Sequence, residues 1–160
     1  MARSSNRCAL VPALAALLFA SGCPPETCRP GDTPTLTLGT GIDAFEPMSD
    51  PAELPLIYGP QGGVHLDLAL RATYLDLSEL WDVQLRGTLD GQVVADVRPQ
   101  VEASCNVDAE AEDLVGLRLI FDDSVAAADL MDPIDVFATV TDAGDRTVEA
   151  SVLGLTVTFD

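Results

Sequence analysis

Val64-His-Leu-Asp-Leu-Ala-Leu-Arg-Ala-Thr-Tyr74 changes polarity at nearly every step. Val64, Leu66, Leu68, Leu70, Ala72 and Tyr74 fall on one side of an extended chain, with His65, Asp67, Ala69, Arg71 and Thr73 on the other. A helix would scatter those leucines around its circumference, whereas a strand gathers them on one buried face. The segment just before it, Gly59-Pro-Gln-Gly-Gly63, superficially suggests a phosphate-binding loop. Such a loop opens onto a helix whose amino end faces the anion, and the alternation that follows excludes a helix here. A turn that launches the strand is the expected role.

The same period extends along the chain. Trp81, Val83 and Leu85 oppose Asp82, Gln84 and Arg86, and Asp90-Gly91 has the composition of a two-residue hairpin turn that returns Val93, Ala95 and Val97. Further strands are expected around Leu36 and Leu38, over Leu54 to Tyr58, Val115 to Phe121 and Ile134 to Thr141, and over Arg146 to Phe159, with Gly154 as a break in the last. Asp142-Ala-Gly-Asp145 reads as a second hairpin loop. Only Asp123 to Met131 reads as helical, and Pro133 ends it. Seven or eight short strands without alternating long helices predict an all-β antiparallel sandwich, not a parallel sheet.

Asp135 to Val152 resembles the closing hairpin of immunoglobulin-like and fibronectin-like domains, in which a Val-x-Val-x-Asp strand turns and comes back. Trp81 occupies the place where such sandwiches bury a tryptophan on a central strand. That resemblance implies an immunoglobulin-like architecture for residues 63 to 159. No cysteine pair brackets Trp81, and no tyrosine marks the penultimate strand, where Phe137 is the only aromatic. Architecture of this kind leaves function open.

The amino-terminal residues carry an address. Arg3 and Arg7 precede the apolar run Cys8 to Ala20, too short to span a bilayer, and Ala20-Ser21-Gly22 places small residues before Cys23. The tetrapeptide Ala20-Ser21-Gly22-Cys23 resembles the lipobox of bacterial lipoproteins, with Ala20 where Leu is commonest. The resemblance implies a cleaved signal peptide over residues 1–22, a lipid on Cys23, and export to a Gram-negative envelope, at the outer membrane in preference to the inner. Acyl chains contribute about 0.8 kcal/mol per buried methylene, so a multiply acylated cysteine holds a protein on a membrane without a spanning helix. Residues 23–32 then form a short proline-rich tether, and 33–160 one sandwich domain.

Processing at Cys23 leaves six arginines against all 26 acidic side chains of the 160-residue chain, with no lysine. Phosphate backbones are bound by cations that displace counterions, so nucleic acid is excluded as a partner. The same processing leaves Cys28 and Cys105 in a compartment where disulfides persist. Their pairing closes a long loop worth about 4–5 kcal/mol. Two separate thiols are the other reading; two cysteines and one histidine make a poor zinc set without a Cys-x-x-Cys pair.

His65 is the one histidine and the natural suspect for acid–base work. Catalysis needs a nucleophile beside it and an orienting carboxylate, and no Gly-x-Ser-x-Gly elbow is present. Alternation places His65, Asp67 and Arg71 on one outward face, a candidate recognition face. The string Leu56-Ile-Tyr58-Gly-Pro-Gln-Gly-Gly-Val-His65, with Arg71 six residues on, resembles a segment of uncharacterised predicted lipoproteins of myxobacterial type, a likeness that implies no activity. The aspartates at 122, 123, 129, 132, 135, 142 and 145 crowd the later loops, as calcium ligands do, yet no run matches an EF-hand. Asp108-Ala-Glu-Ala-Glu-Asp113 is the densest acidic run and is expected to be a solvated loop.

The sequence therefore predicts a lipid-anchored, non-enzymatic envelope module with no catalytic, cofactor or metal residues assigned, binding a protein, glycan or small ligand. A calcium-dependent adhesion or structural domain is the alternative, with a hydrolase using scattered carboxylates behind it.

Overall fold

Twelve strands are built from these alternating runs in a computed structural model that describes residues 28–60 and 63–159. The expected signal peptide, Cys23 and the start of the tether lie outside the described residues, as do Gln61 and Gly62 of the glycine turn. The strands are β1 (Thr35–Thr40), β2 (Glu46–Pro47), β3 (Glu53–Pro55), β4 (Ile57–Tyr58), β5 (Val64–Thr73) and β6 (Trp81–Leu89) in the first half. They continue with β7 (Gln92–Val97), β8 (Gln100–Val101), β9 (Ser104–Asn106), β10 (Ala111–Ile120), β11 (Ile134–Thr141) and β12 (Thr147–Thr158).

Two six-stranded sheets result. Sheet one runs β2-β1-β5-β10-β9, with β4 extending the β1 side of β5; sheet two runs β3-β12-β11-β6-β7, with β8 extending the β7 side of β6. All pairs are antiparallel except β3 with β12, which is parallel. Setting β2, β3, β4 and β8 aside, the orders β1-β5-β10-β9 and β12-β11-β6-β7 are the two sheets of an immunoglobulin-like sandwich. This is the all-β architecture predicted from the alternation.

The inward faces meet as expected. Leu66, Leu68, Leu70 and Ala72 of β5 are buried, as are Val83 and Leu85 of β6 and Val136, Ala138 and Val140 of β11. Trp81 is fully buried on its central strand, and its indole N–H donates to the Asp76 carbonyl at 2.6 Å, satisfying the one polar atom that burial would orphan. The Asp90-Gly91 turn has positive φ at both residues, 50° and 76°, as the tight hairpin requires.

Three local expectations are corrected. Tyr74 leaves the alternation: its φ is 64°, and its ring is 48% exposed beyond the end of β5. The Asp123 to Met131 segment forms only a short 3-10 turn, Ala127–Met131, because it buries a single side chain, Leu130, too little to stabilise a longer helix. The acidic run is not wholly solvated, for β10 begins at Ala111 and carries Glu112 and Asp113 into buried positions, 0% and 6% exposed.

Candidate functional site

The sandwich has two outer faces, and the side chains that alternation points outward meet different fates on each. On sheet one the strands β1, β5 and β10 present His65, Asp67, Ala69 and Arg71 outward, as predicted. The chain between β1 and β2 folds across the middle of that face. Gly39 lies opposite Ala69, and a side chain on it would collide with the Phe45 ring. Beneath this cover Ala69 is fully buried. A bulge in β10 sets two residues, Val115 and Gly116, against it; Gly116 adopts a φ of 67° and donates its amide to the Gly41 carbonyl.

The cover divides the predicted face. His65 Nε2 lies 3.5 Å from Asp67 Oδ1, with Arg118 Nε 3.7 Å from the same oxygen. Side-chain exposures of 11% and 13% leave His65 and Asp67 little surface. Arg71 points instead to Asp113, donating from Nε and Nη2 at 2.7 and 2.8 Å, and its guanidinium stacks 4.4 Å above the Phe45 ring. Burial pushes the Asp113 carboxyl up, but the donors of Arg71 and Asn106 outweigh it and hold the group below the usual carboxylate range. The partnership in turn raises Arg71 further. Structure thus brings His65 and Asp67 together and assigns Arg71 to a separate, closed ion pair.

Cys28 and Cys105 are joined in a disulfide, Cα atoms 5.8 Å apart, beside the same end of β10. On the inner side of that strand sits Glu112. Neither carboxyl oxygen has a hydrogen-bond partner among the described residues. Burial pushes its pKa up to about 7, against the weaker pull of the nearby Tyr74 and Leu75 amides and of Arg146. Asp142 at the same end is the opposite case. Burial again raises it, yet amides of Asp76, Gly144 and Arg146 and the Arg146 guanidinium, at 2.6 to 2.9 Å, hold it low.

Those contacts bear on the loop aspartates. Asp142 is fully occupied within the fold, Asp129 accepts from the Ala126 amide, and Asp135 from the Gly154 amide. Among the described residues, no three His, Cys, Asp or Glu side chains come together in a metal-holding group.

Sheet two keeps its outer face open. Register aligns Ser151 of β12, Phe137 of β11, Arg86 of β6 and Asp96 of β7 in one row across four strands. The next row holds Glu149, Thr139 and Gln84. With Thr88, Gly91 and Val93, all of these but Asp96 line a groove of about 680 Å³. Phe137 is 38% exposed and Val93 50%.

The arginines of this face are settled on one acid. Arg86 and Gln84 donate to Asp96 from one side at 2.9 to 3.1 Å, and Arg98 from the other at 3.3 and 3.4 Å. Arg98 leads in lowering the Asp96 pKa to about 2. The hydroxyls of Thr88, Thr139 and Ser151 and the Glu149 carboxylate make no side-chain hydrogen bond among the described residues. They remain available to a ligand. The alternation names Gln84 and Arg86 as outward, but nothing in the sequence aligns them with Phe137 and Ser151, because register is a property of pairs of strands.

Compared with protein-family models and with curated proteins, the chain finds no match in either. Among the described residues no helix is long and apolar enough to cross a membrane.

Proposed function

We propose that the chain is an exported lipoprotein, held to the bacterial envelope through Cys23, whose domain is a non-enzymatic binding module that engages its ligand on the outer face of sheet two. The anchoring rests on the Ala20-Ser21-Gly22-Cys23 motif behind its basic and apolar segments. The observation that carries the binding reading is the groove itself: a concave face with an exposed aromatic ring and four polar side chains that have no side-chain hydrogen bond among the described residues. Ligand sites are concave and combine apolar surface with a few convergent polar groups. Elsewhere the polar side chains with the strongest interactions, Arg71 with Asp113 and Arg146 with Asp142, are closed on one another. A catalytic reading finds less support, since His65 has Asp67 beside it and, among the described residues, no hydroxyl or thiol nucleophile in hydrogen-bonding contact.

Two measurements on the full-length chain test the reading. A fatty-acid label incorporated by the wild type and lost in Cys23→Ser supports the anchor; equal labelling refutes it. For the groove, the detergent-solubilised chain is passed over immobilised envelope fragments, with Phe137→Ala and Glu149→Ala as variants. Retention that drops in both variants and persists in Arg118→Ala, on the other sheet, places binding on this face. Identical retention of all four chains removes it.

A further inference from the structure

We infer that the groove on sheet two takes an extended, uncharged, polyhydroxylated ligand, a neutral glycan chain, an assignment that rests on the reading of this face as the binding site. The first argument is charge. The chain carries a formal net charge of −18, yet the groove is lined by one arginine and one glutamate, Arg86 and Glu149. Asp96 and Arg98 beside it also cancel. A cationic ligand would be drawn more strongly to the acidic remainder of the surface, and an anionic one is repelled by the field of the whole chain. A neutral ligand suits a lining that is electrically balanced within an acidic molecule.

Hydrogen-bonding capacity gives the second argument. Gln84 directs its amide nitrogen to Asp96, which leaves its carbonyl oxygen as an acceptor without a partner among the described residues. With the Glu149 carboxylate this provides acceptors, while Thr88, Thr139 and Ser151 each offer a hydroxyl able to donate or accept. Sugar hydroxyls are both donors and acceptors, so this mixture matches them. A peptide backbone offers fewer donors in the same length, and an apolar ligand would leave the row unsatisfied.

The third argument is the surface between those groups. Phe137 stands in its row between Ser151 and Arg86 and is 38% exposed. The C–H face of a pyranose packs on such a ring while its equatorial hydroxyls reach sideways to the neighbouring strands. Three strand spacings separate β12, which carries Ser151, from β7, which carries Val93, roughly 14 Å. That length favours a chain of sugars over a single one.

The test uses the full-length chain in detergent, titrated with linear neutral hexose oligosaccharides, their uronate and amino-sugar counterparts, and extended peptides of matched length. The expected result is saturable binding of a neutral oligosaccharide, weakened about tenfold in Phe137→Ala, restored in Phe137→Tyr and unchanged in Arg118→Ala. Preference for a charged oligosaccharide or a peptide overturns the glycan assignment. If no neutral oligosaccharide binds while Phe137→Ala still loses retention on envelope fragments, the ligand class falls and the groove stands. If neutral oligosaccharides bind wild type and Phe137→Ala equally, the groove falls as the glycan site. A concentration-dependent dimer abolished by Phe137→Ala assigns the face to a second copy and overturns the proposal.

Discussion

The two outer faces of this sandwich are made of the same kind of strand and end in opposite states. Each presents arginine, acid and small polar side chains at alternate positions. On sheet one a crossing segment with Phe45 covers the centre, Arg71 is locked to Asp113, and a disulfide borders the edge. On sheet two nothing among the described residues crosses, and Asp96 alone gathers the neighbouring cations, leaving Phe137 and the row around it open. Outward-pointing polarity therefore does not mark a binding surface. Whether a face is free depends on what the loops do.

The largest effect should come from cutting the staple of the closed face. Paired Cys28→Ser and Cys105→Ser substitutions, or reduction, remove a link across 77 residues and should lower stability by about 4 kcal/mol, read as a fall in Tm. Groove binding below the new Tm should persist. A loss of both together would break the distinction between the faces.

Next is the contrast between two arginines. Arg71→Ala leaves Asp113 buried without its main partner and should cost about 2–3 kcal/mol, at the low end for a broken buried pair because Arg71 itself is part exposed. Arg86→Ala removes an exposed partner from an acid that keeps Arg98, and should cost under about 1 kcal/mol. Chemical denaturation of the two variants checks the difference; equal costs would mean that the open face is as structural as the closed one.

The smallest effect sharpens the same strand from its inner side. Glu112 has a folded pKa near 7 against an ordinary 4.5, so its contribution is fully favourable below about pH 4.5 and is lost as pH rises through 7. Asp113 and Asp142 act in the other direction, stabilising above their ordinary value of 3.8 and failing as pH falls through their depressed values. Stability should peak between about pH 4 and 5, decline as pH rises to about 7, and level off beyond it. Glu112→Gln should flatten that decline, gaining on the order of 1–2 kcal/mol at pH 8. A Tm profile with the same slope in the variant would refute the assignment.

The parts that sequence reading recovered are those governed by neighbours in the chain. Alternation in β5 and β6 identified the inward leucines and Trp81, and the dihedral demands of Asp90-Gly91 marked a hairpin. The disulfide is the pairing expected of the two cysteines that follow Cys23. What escaped was decided between distant segments. Glu112 and Asp113 read as solvent-facing because their charge is local, while the guanidinium that accounts for Asp113 lies 42 positions away. The bulge at Val115 and Gly116 interrupts the alternation that would have announced the start of β10. The recognition face assigned to His65, Asp67 and Arg71 had the right orientation, but the segment covering it gives no sign in the strand itself. Nor could any single run announce the row through Ser151, Phe137, Arg86 and Asp96, whose members come from four strands.

The bond between Cys28 and Cys105 also sets how the domain bears traction. A pull on the chain ahead of Cys28 is delivered covalently to β9 and from there to β10 in the body of sheet one. The force bypasses residues 29–34 and β1, whose hydrogen bonds to β5 would otherwise open one after another like a zipper. The fold is thus loaded through β9, at the far side of sheet one, and the β1–β5 ladder is kept out of the line of strain.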